Sequence, residues 1–341
     1  MSGMDTAHEA AAALLGVWVL DACSAEEAET VMAHLPKCQT CAGEVARLRN
    51  VVDLLGAATP PPSRLRGRTL ERAMSRRAAA SPCPVYAEPY AAQVSVLDSL
   101  LAELTGADWT ANVIYTWNVQ DVVAHLSATD GLVAGRIGVA VDPPFPAGRT
   151  VDGDLIEQRT AAVIDRERTR TPEQTRAAWR NLTDVLCRRL PADPALRPGG
   201  MPMRISDAVV ARAFETWVHT DDIARALGRE LPPPLPRHLH PIAALGVRGL
   251  RRALALTRPD PAPAVSAQVI LDGPGGGEWM VGLGGKISDR QRPVVRLEMD
   301  VLEFCYLAGG RRDPATVSAE VTGDADLGRD LLVAAPAFAG P

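Results

Sequence analysis

Apolar residues recur at helical spacing through roughly the first two thirds of the chain and at alternate positions in several runs near its end. Ala28, Val31, Met32 and Leu35 form one stripe that stops at Pro36, and Ser24 with Glu27 makes a capping box at its start. Val45, Leu48, Val52 and Leu55 predict a further helix over 42–55, which Gly56 ends. Thr59-Pro60-Pro61-Pro62 predicts an extended linker, because proline removes an amide donor and disfavours helix in the residue before it. The basic run Arg64–Arg77 that follows predicts a helix, read either as a solvated linker helix or as one that binds a partner.

From 89 to 230 the pattern is almost wholly helical. Val94, Leu97, Leu100, Leu101 and Leu104 mark one helix, and Asn118 with Asp121 caps another that carries His125. Thr171-Pro172-Glu173-Gln174 combines a cap, a proline at the first helical position and a glutamine at the box position. A long helix predicted from Ser206 toward Gly228 carries Glu215 and His219. Four such helices imply an up-and-down bundle with its site between facing helices.

After Pro232-Pro233-Pro234 the pattern predicts a helix over 237–256 and then strands at Val265–Leu271, Glu278–Gly282, Val294–Met299 and Thr316–Val321. Asp300 and Glu303 cap a short helix ending near Gly309-Gly310, and 324–333 reads as another. The expected architecture is multidomain and mainly α: a small helical unit at 1–55, a linker at 56–88, a helical bundle at 89–230 and an α+β domain at 231–341.

Composition narrows the function classes. A length of 341 residues suits two or three domains, and a formal charge of -5 argues against a broad phosphate-binding surface. Direct nucleic-acid binding is therefore not expected. Six cysteines are present, and only Cys38 and Cys41 are closely spaced, which argues for a reducing compartment with one metal-binding pair. The apolar stretch 10–20 lacks a basic leader and is far short of the ~20 residues that span a bilayer. A cytoplasmic protein without membrane attachment is expected.

Two ligand sets stand out. His34-Leu-Pro-Lys-Cys38-Gln-Thr-Cys41 brings a histidine at a helix end next to a CxxC turn, and His8 supplies a fourth donor. Four nitrogen and sulfur donors close a tetrahedron around zinc, so this site reads as structural or regulatory. Glu215 and His219 lie four apart on one helix face, with Asp222 three further on, and His125 comes from another helix. His125 alone reads as an ordinary buried helical histidine, but with Glu215 and His219 it completes a three-donor set that leaves a zinc position open.

The first set, with the segment Leu15-Gly16-Val17-Trp18-Val19-Leu20, resembles the zinc-binding anti-sigma factor family over about the first 55 residues. The resemblance implies a zinc-held helical unit that occludes an extracytoplasmic-function sigma factor, making that sigma factor a protein partner. Redox-sensing members place a cysteine where this chain has His8, which cannot form a disulfide. Cys23 is the alternative thiol, read either as a replacement donor or as a small buried residue.

Trp117-Asn118-Val119-Gln120-Asp121-Val122-Val123-Ala124-His125-Leu126 and Glu215-Thr-Trp-Val-His219-Thr-Asp-Asp222 resemble the mycothiol-dependent maleylpyruvate isomerase family, a branch of the DinB-like metal-binding bundles. The likeness covers about 89–341 and implies a DinB-like four-helix bundle followed by a sterol-carrier-like α+β domain. It implies His125, Glu215 and His219 as zinc ligands, with Asp222 and Arg311 as catalytic residues; Arg311 or Arg312 reads equally well as a surface cation. It also implies mycothiol as cosubstrate and a small unsaturated acid or another electrophile as acceptor. Two functions follow: an anti-sigma regulator whose bundle senses a thiol or metabolite, or a mycothiol-dependent isomerase or thiol transferase carrying an added zinc unit.

Overall fold

The computed structural model describes residues 3–20, 22–58, 80–144, 151–199, 201–258, 264–284 and 292–338. The proline linker at 60–62 and the basic run at 64–77 lie outside the described residues. The protein is mainly helical with a small mixed sheet near its C-terminus, and it divides into two compact units, 1–75 and 76–341.

The first unit is built from α1 (Gly3–Val19), α2 (Ala25–His34) and α3 (Gln39–Ala58). Ser24 caps α2: its hydroxyl accepts the Glu27 amide at 3.3 Å, and the Glu27 carboxylate accepts the Ser24 amide at 2.8 Å. Leu15, Val31, Cys41 and Val45 form the core, with Leu14, Trp18, Leu35 and Leu48 against it. Arg49 lies over the Trp18 ring at 4.9 Å and covers its outer face.

The second unit begins with a closed bundle of α4 (Glu88–Ala102), α6 (Val119–Arg136), α8 (Pro172–Arg189) and α9 (Ile205–Ala226). Between the first two lie the short α5 (Gly106–Trp109) and a two-stranded hairpin, β1 (Asn112–Ile114) and β2 (Trp117–Asn118). A fifth helix, α7 (Gly153–Glu167), packs along α6. It was not singled out by the hydrophobic pattern because much of its buried face is polar: Arg159, Thr160 and Glu167 are buried beside Leu155, Val163 and Ile164. Gly131 on α6 makes room for the Arg159 guanidinium, which donates to the Ala128 and Pro143 carbonyls.

The amphipathic α10 (Pro236–Thr257) leads into a mixed sheet of order β4-β3-β5-β6, made from β3 (Ser266–Asp272), β4 (Gly277–Gly282), β5 (Val295–Asp300) and β6 (Glu320–Gly323). β3 pairs antiparallel with β4 and parallel with β5, and β6 runs antiparallel to β5. The predicted strand at 316–321 begins later, at Glu320, because the Thr316 and Val317 amides turn back to the Asp313 carbonyl. α11 (Val301–Ala308) and α12 (Ala325–Ala334) complete the unit. Asp300 caps α11 by accepting the Leu302 and Glu303 amides. Bundle and sheet share one continuous hydrophobic core. Among the described residues no helix is long and apolar enough to cross a membrane.

Candidate metal centres

In the first unit each donor extends a helix face that already points inward. His8 precedes buried Ala11 and Leu15 on α1, His34 follows buried Val31 on α2, and Cys41 precedes buried Val45 on α3. Cys38 lies just before α3 in extended backbone, after a short 3-10 turn at Leu35–Lys37. The structure brings His8, His34, Cys38 and Cys41 together, with one donor atom from each within 4.8 Å of the others. His8 Nδ1 lies 3.3 Å from His34 Nε2 and 3.6 Å from both Cys38 Sγ and Cys41 Sγ.

These separations suit zinc. With Zn–N at about 2.0–2.1 Å and Zn–S at about 2.3 Å, tetrahedral geometry separates two nitrogens by about 3.3 Å and nitrogen from sulfur by about 3.6 Å. The Cys41 amide at the start of α3 bonds the Cys38 sulfur and holds that thiol below its ordinary pKa; burial pushes the Cys41 thiol up. Cys23 stands outside this cluster, its thiol pushed up by burial and by Glu27.

The second centre lies in the bundle, where His125 on α6 meets Glu215 and His219 on α9, again with one donor atom each within 4.8 Å. The two histidine rings are edge to face, 5.2 Å between centroids. Both histidines are buried, and Glu215 is 28% exposed along its side chain. The Trp117 ring packs 5.0 Å from His125, and Tyr115 meets Trp117 edge-on at 6.0 Å, forming one wall. Tyr115 takes a left-handed backbone, φ 52°, and is exposed.

Each histidine has its outer nitrogen occupied. His125 Nδ1 lies 3.3 Å from the Thr160 hydroxyl, and His219 Nδ1 lies 3.1 Å from Asp222 Oδ2. Both Nε2 atoms are thereby left for the centre, and this arrangement is one that metal-ligating histidines use. His125 Nε2 lies 2.6 Å from Glu215 Oε1. This is a hydrogen-bond distance, shorter than the roughly 3.3 Å between two donors on one tetrahedral zinc, so the two donors would move apart to share an ion.

Electrostatics favour donors ready to ligate. Burial opposes ionisation of Glu215, but the Arg212 guanidinium and His125 outweigh it and hold the carboxyl well below the usual range. Burial also lowers the His219 pKa and keeps the ring neutral, against the pull of Asp222. Asp222 is itself held low: burial raises it, and the bonds from His219 and Arg311 overcome that.

Arg311 follows α11 and reaches the bundle. It donates to both Asp222 oxygens, lies 3.5 Å from His219 Nδ1, and donates to the Gly309 carbonyl. Arg312 turns away to Glu303 and covers the Tyr306 ring at 4.8 Å. Sequence reasoning missed Arg212, Asp130 and Thr160. Only Arg212 left a signal, since it lies three residues before Glu215 on the same helix.

Comparison with known proteins adds a family. Residues 90–224 match the family model of the mycothiol maleylpyruvate isomerase N-terminal domain, a span that holds His125, Glu215, His219 and Asp222 but not Arg311. The uncharacterized protein Rv0036c of Mycobacterium tuberculosis strain H37Rv is 30% identical over 276 residues, 77% of this chain and 98% of that protein. The uncharacterized protein MT0041 of strain CDC 1551 gives the same figures. Among solved structures, a mycothiol-dependent maleylpyruvate isomerase is similar at 14% identity and a TM-score of 0.44, covering 70% of this chain and 91% of that one. A His-to-Ala mutant of the enzyme gives 13% and 0.46, with 69% and 91% covered. The chain belongs to the family of these mycobacterial proteins and carries, in its bundle, a mycothiol maleylpyruvate isomerase N-terminal domain.

Proposed function

We infer that this chain is a zinc-binding regulator of anti-sigma type. Its first unit, with zinc on His8, His34, Cys38 and Cys41, sequesters an extracytoplasmic-function sigma factor, and its bundle responds to a thiol or metabolite through a second zinc on His125, Glu215 and His219. The observation that carries this reading is the contrast between the two clusters: four donors converge in one, enough to close a tetrahedron, and three in the other, one short of it. Val17, Met32 and Val51, exposed on the three helices of the small unit, add apolar surface for a partner.

The chemistry assigned to the bundle is thiol activation. His125, Glu215 and His219 would hold the zinc, which when bound would supply a Lewis acid able to lower the pKa of a thiol. Asp222 keeps the His219 ring oriented with Nε2 inward, and Arg311 keeps Asp222 anionic. Trp117 covers the outer side of His125. Co-purification from the native host tests the regulator: a sigma factor recovered with the intact chain and lost with Cys38→Ala plus Cys41→Ala supports it, and undiminished recovery by that variant sinks it.

A second reading, a mycothiol-dependent isomerase or thiol transferase, is favoured by the Arg311–Asp222–His219 arrangement beside the open centre. In that case the mycothiol sulfur adds to the double bond of an unsaturated acid, the new single bond rotates, and elimination returns the thiol and the other isomer. Arg311 is committed to Asp222 and the Gly309 carbonyl, so it acts by holding Asp222 rather than as a free carboxylate receptor. Turnover of maleylpyruvate or another electrophile with mycothiol, lost in His219→Ala, supports this reading; silence across thiol acceptors removes it.

A further inference from the structure

Behind the open centre lies a row of buried polar groups that no ligand role explains. Arg212 is on the ligand helix, one turn before Glu215, and its side chain is 8% exposed. Its Nη1 donates to Glu215 Oε2, the oxygen turned away from His125, while Nε donates to Asp130 Oδ1 at 2.9 Å. Asp130 on α6 is fully buried, and its other oxygen accepts the Trp179 indole N–H from α8 at 3.2 Å. Both oxygens of Asp130 therefore accept N–H donors, as a carboxylate does.

A fully buried carboxylate and guanidinium cost several kcal/mol to desolvate, and packed apolar side chains of similar volume often serve stability as well or better. The row also ties three bundle helices to one oxygen of one ligand. One guanidinium thus bridges the Glu215 and Asp130 carboxyl groups. The fork geometry matters as much as the charge: a guanidinium reaches both carboxylates at fixed angles, and an ammonium does not.

We propose that Arg212 and Asp130 are positioning residues for the second metal: they lock Glu215 Oε2 so that Oε1 faces His125 and His219, and thereby set the centre's affinity and coordination. The proposal rests on the reading of His125, Glu215 and His219 as metal ligands. It extends that reading to residues that never touch the ion, with Trp179 as the far anchor.

The test uses the full chain with zinc as probe and chelator competition as readout, plus the visible spectrum of the cobalt-loaded protein, which reports coordination. Arg212→Met and Asp130→Asn should keep native far-UV circular dichroism and the first zinc while weakening the second by about 10–100-fold, with an altered cobalt spectrum. Arg212→Lys should restore part of the affinity. If Arg212→Met does not fold, the near-isosteric Asp130→Asn decides. Folded variants that bind the second zinc within about twofold of the parent chain, with an unchanged cobalt spectrum, overturn the proposal, provided that His125→Ala abolishes that zinc. A parent chain that takes up no second zinc overturns the underlying reading and the proposal with it.

Discussion

Arg311 donates to both carboxylate oxygens of Asp222, 89 residues earlier in the chain. Through Asp222 it fixes the ring of His219, so a side chain outside the bundle orients a donor inside it. Asp222→Asn keeps the shape but loses the charge that holds the imidazole, and the expected effect is a 10–100-fold loss of zinc affinity at the open centre. Arg311→Met leaves a buried carboxylate without its cation and should cost about 3 kcal/mol of stability. Chelator competition and urea denaturation measure the two effects separately.

Removal of metal should affect the two units differently. Among the described residues the first unit's core is small, Leu15, Val31, Cys41 and Val45 with partly buried neighbours, and small cores of this kind commonly depend on a structural metal. Treatment with a strong zinc chelator is expected to melt α1 to α3, read as loss of hydrogen-exchange protection over 3–58. Protection across the bundle core around Leu97, Leu126 and Leu186 should persist. Equal loss in both units would contradict this.

Acid should destabilise the metal-free bundle in two stages. The His219 pKa is depressed by burial, so the unfolded chain takes up this proton first, and the stability tied to the neutral ring is full above about pH 6.5 and lost as pH falls below it. Glu215 and Asp222 are depressed as well; their contribution is full above about pH 4.3 and is lost progressively on further acidification. Urea midpoints recorded from pH 8 to 4 should show the first decline in the parent chain and a smaller one in His219→Gln, the remainder coming from His238, whose pKa burial also lowers.

Gly328 on α12 allows close packing against β6. A Cβ there would stand 2.3 Å from Val321 Cγ1, and valine, branched at Cβ, has little freedom to move away. Gly328→Ala should destabilise the second unit by about 1–3 kcal/mol, visible as a lower midpoint in thermal unfolding, with zinc content unchanged.

The two candidate donor clusters were legible in the sequence because their spacing matches helical and turn geometry. Glu215 and His219 fall one turn apart, and the CxxC of Cys38 and Cys41 folds at a helix start. Capping boxes at Ser24, Asn118 and Thr171 gave helix starts for the same reason: the signal is local. Arg212 and Asp130 were not legible, since a charged residue on a helix reads as solvent-facing until its neighbours in space are known. The same blindness hid α7, whose inward face carries Arg159, Thr160 and Glu167. The strand predicted at 316–321 drifted because alternation continues through Val317 and Ala319 while Asp313 folds that stretch into turns.

The long chain separation between Arg311 and the ligand helix has a consequence for biosynthesis. A ribosome delivers His125, Glu215 and His219 well before Arg311, which follows His219 by 92 residues. The contact that orients His219 therefore belongs to the last stretch of the chain to be synthesised, so the arrangement of Arg311, Asp222 and His219 can form only once nearly the whole chain is present.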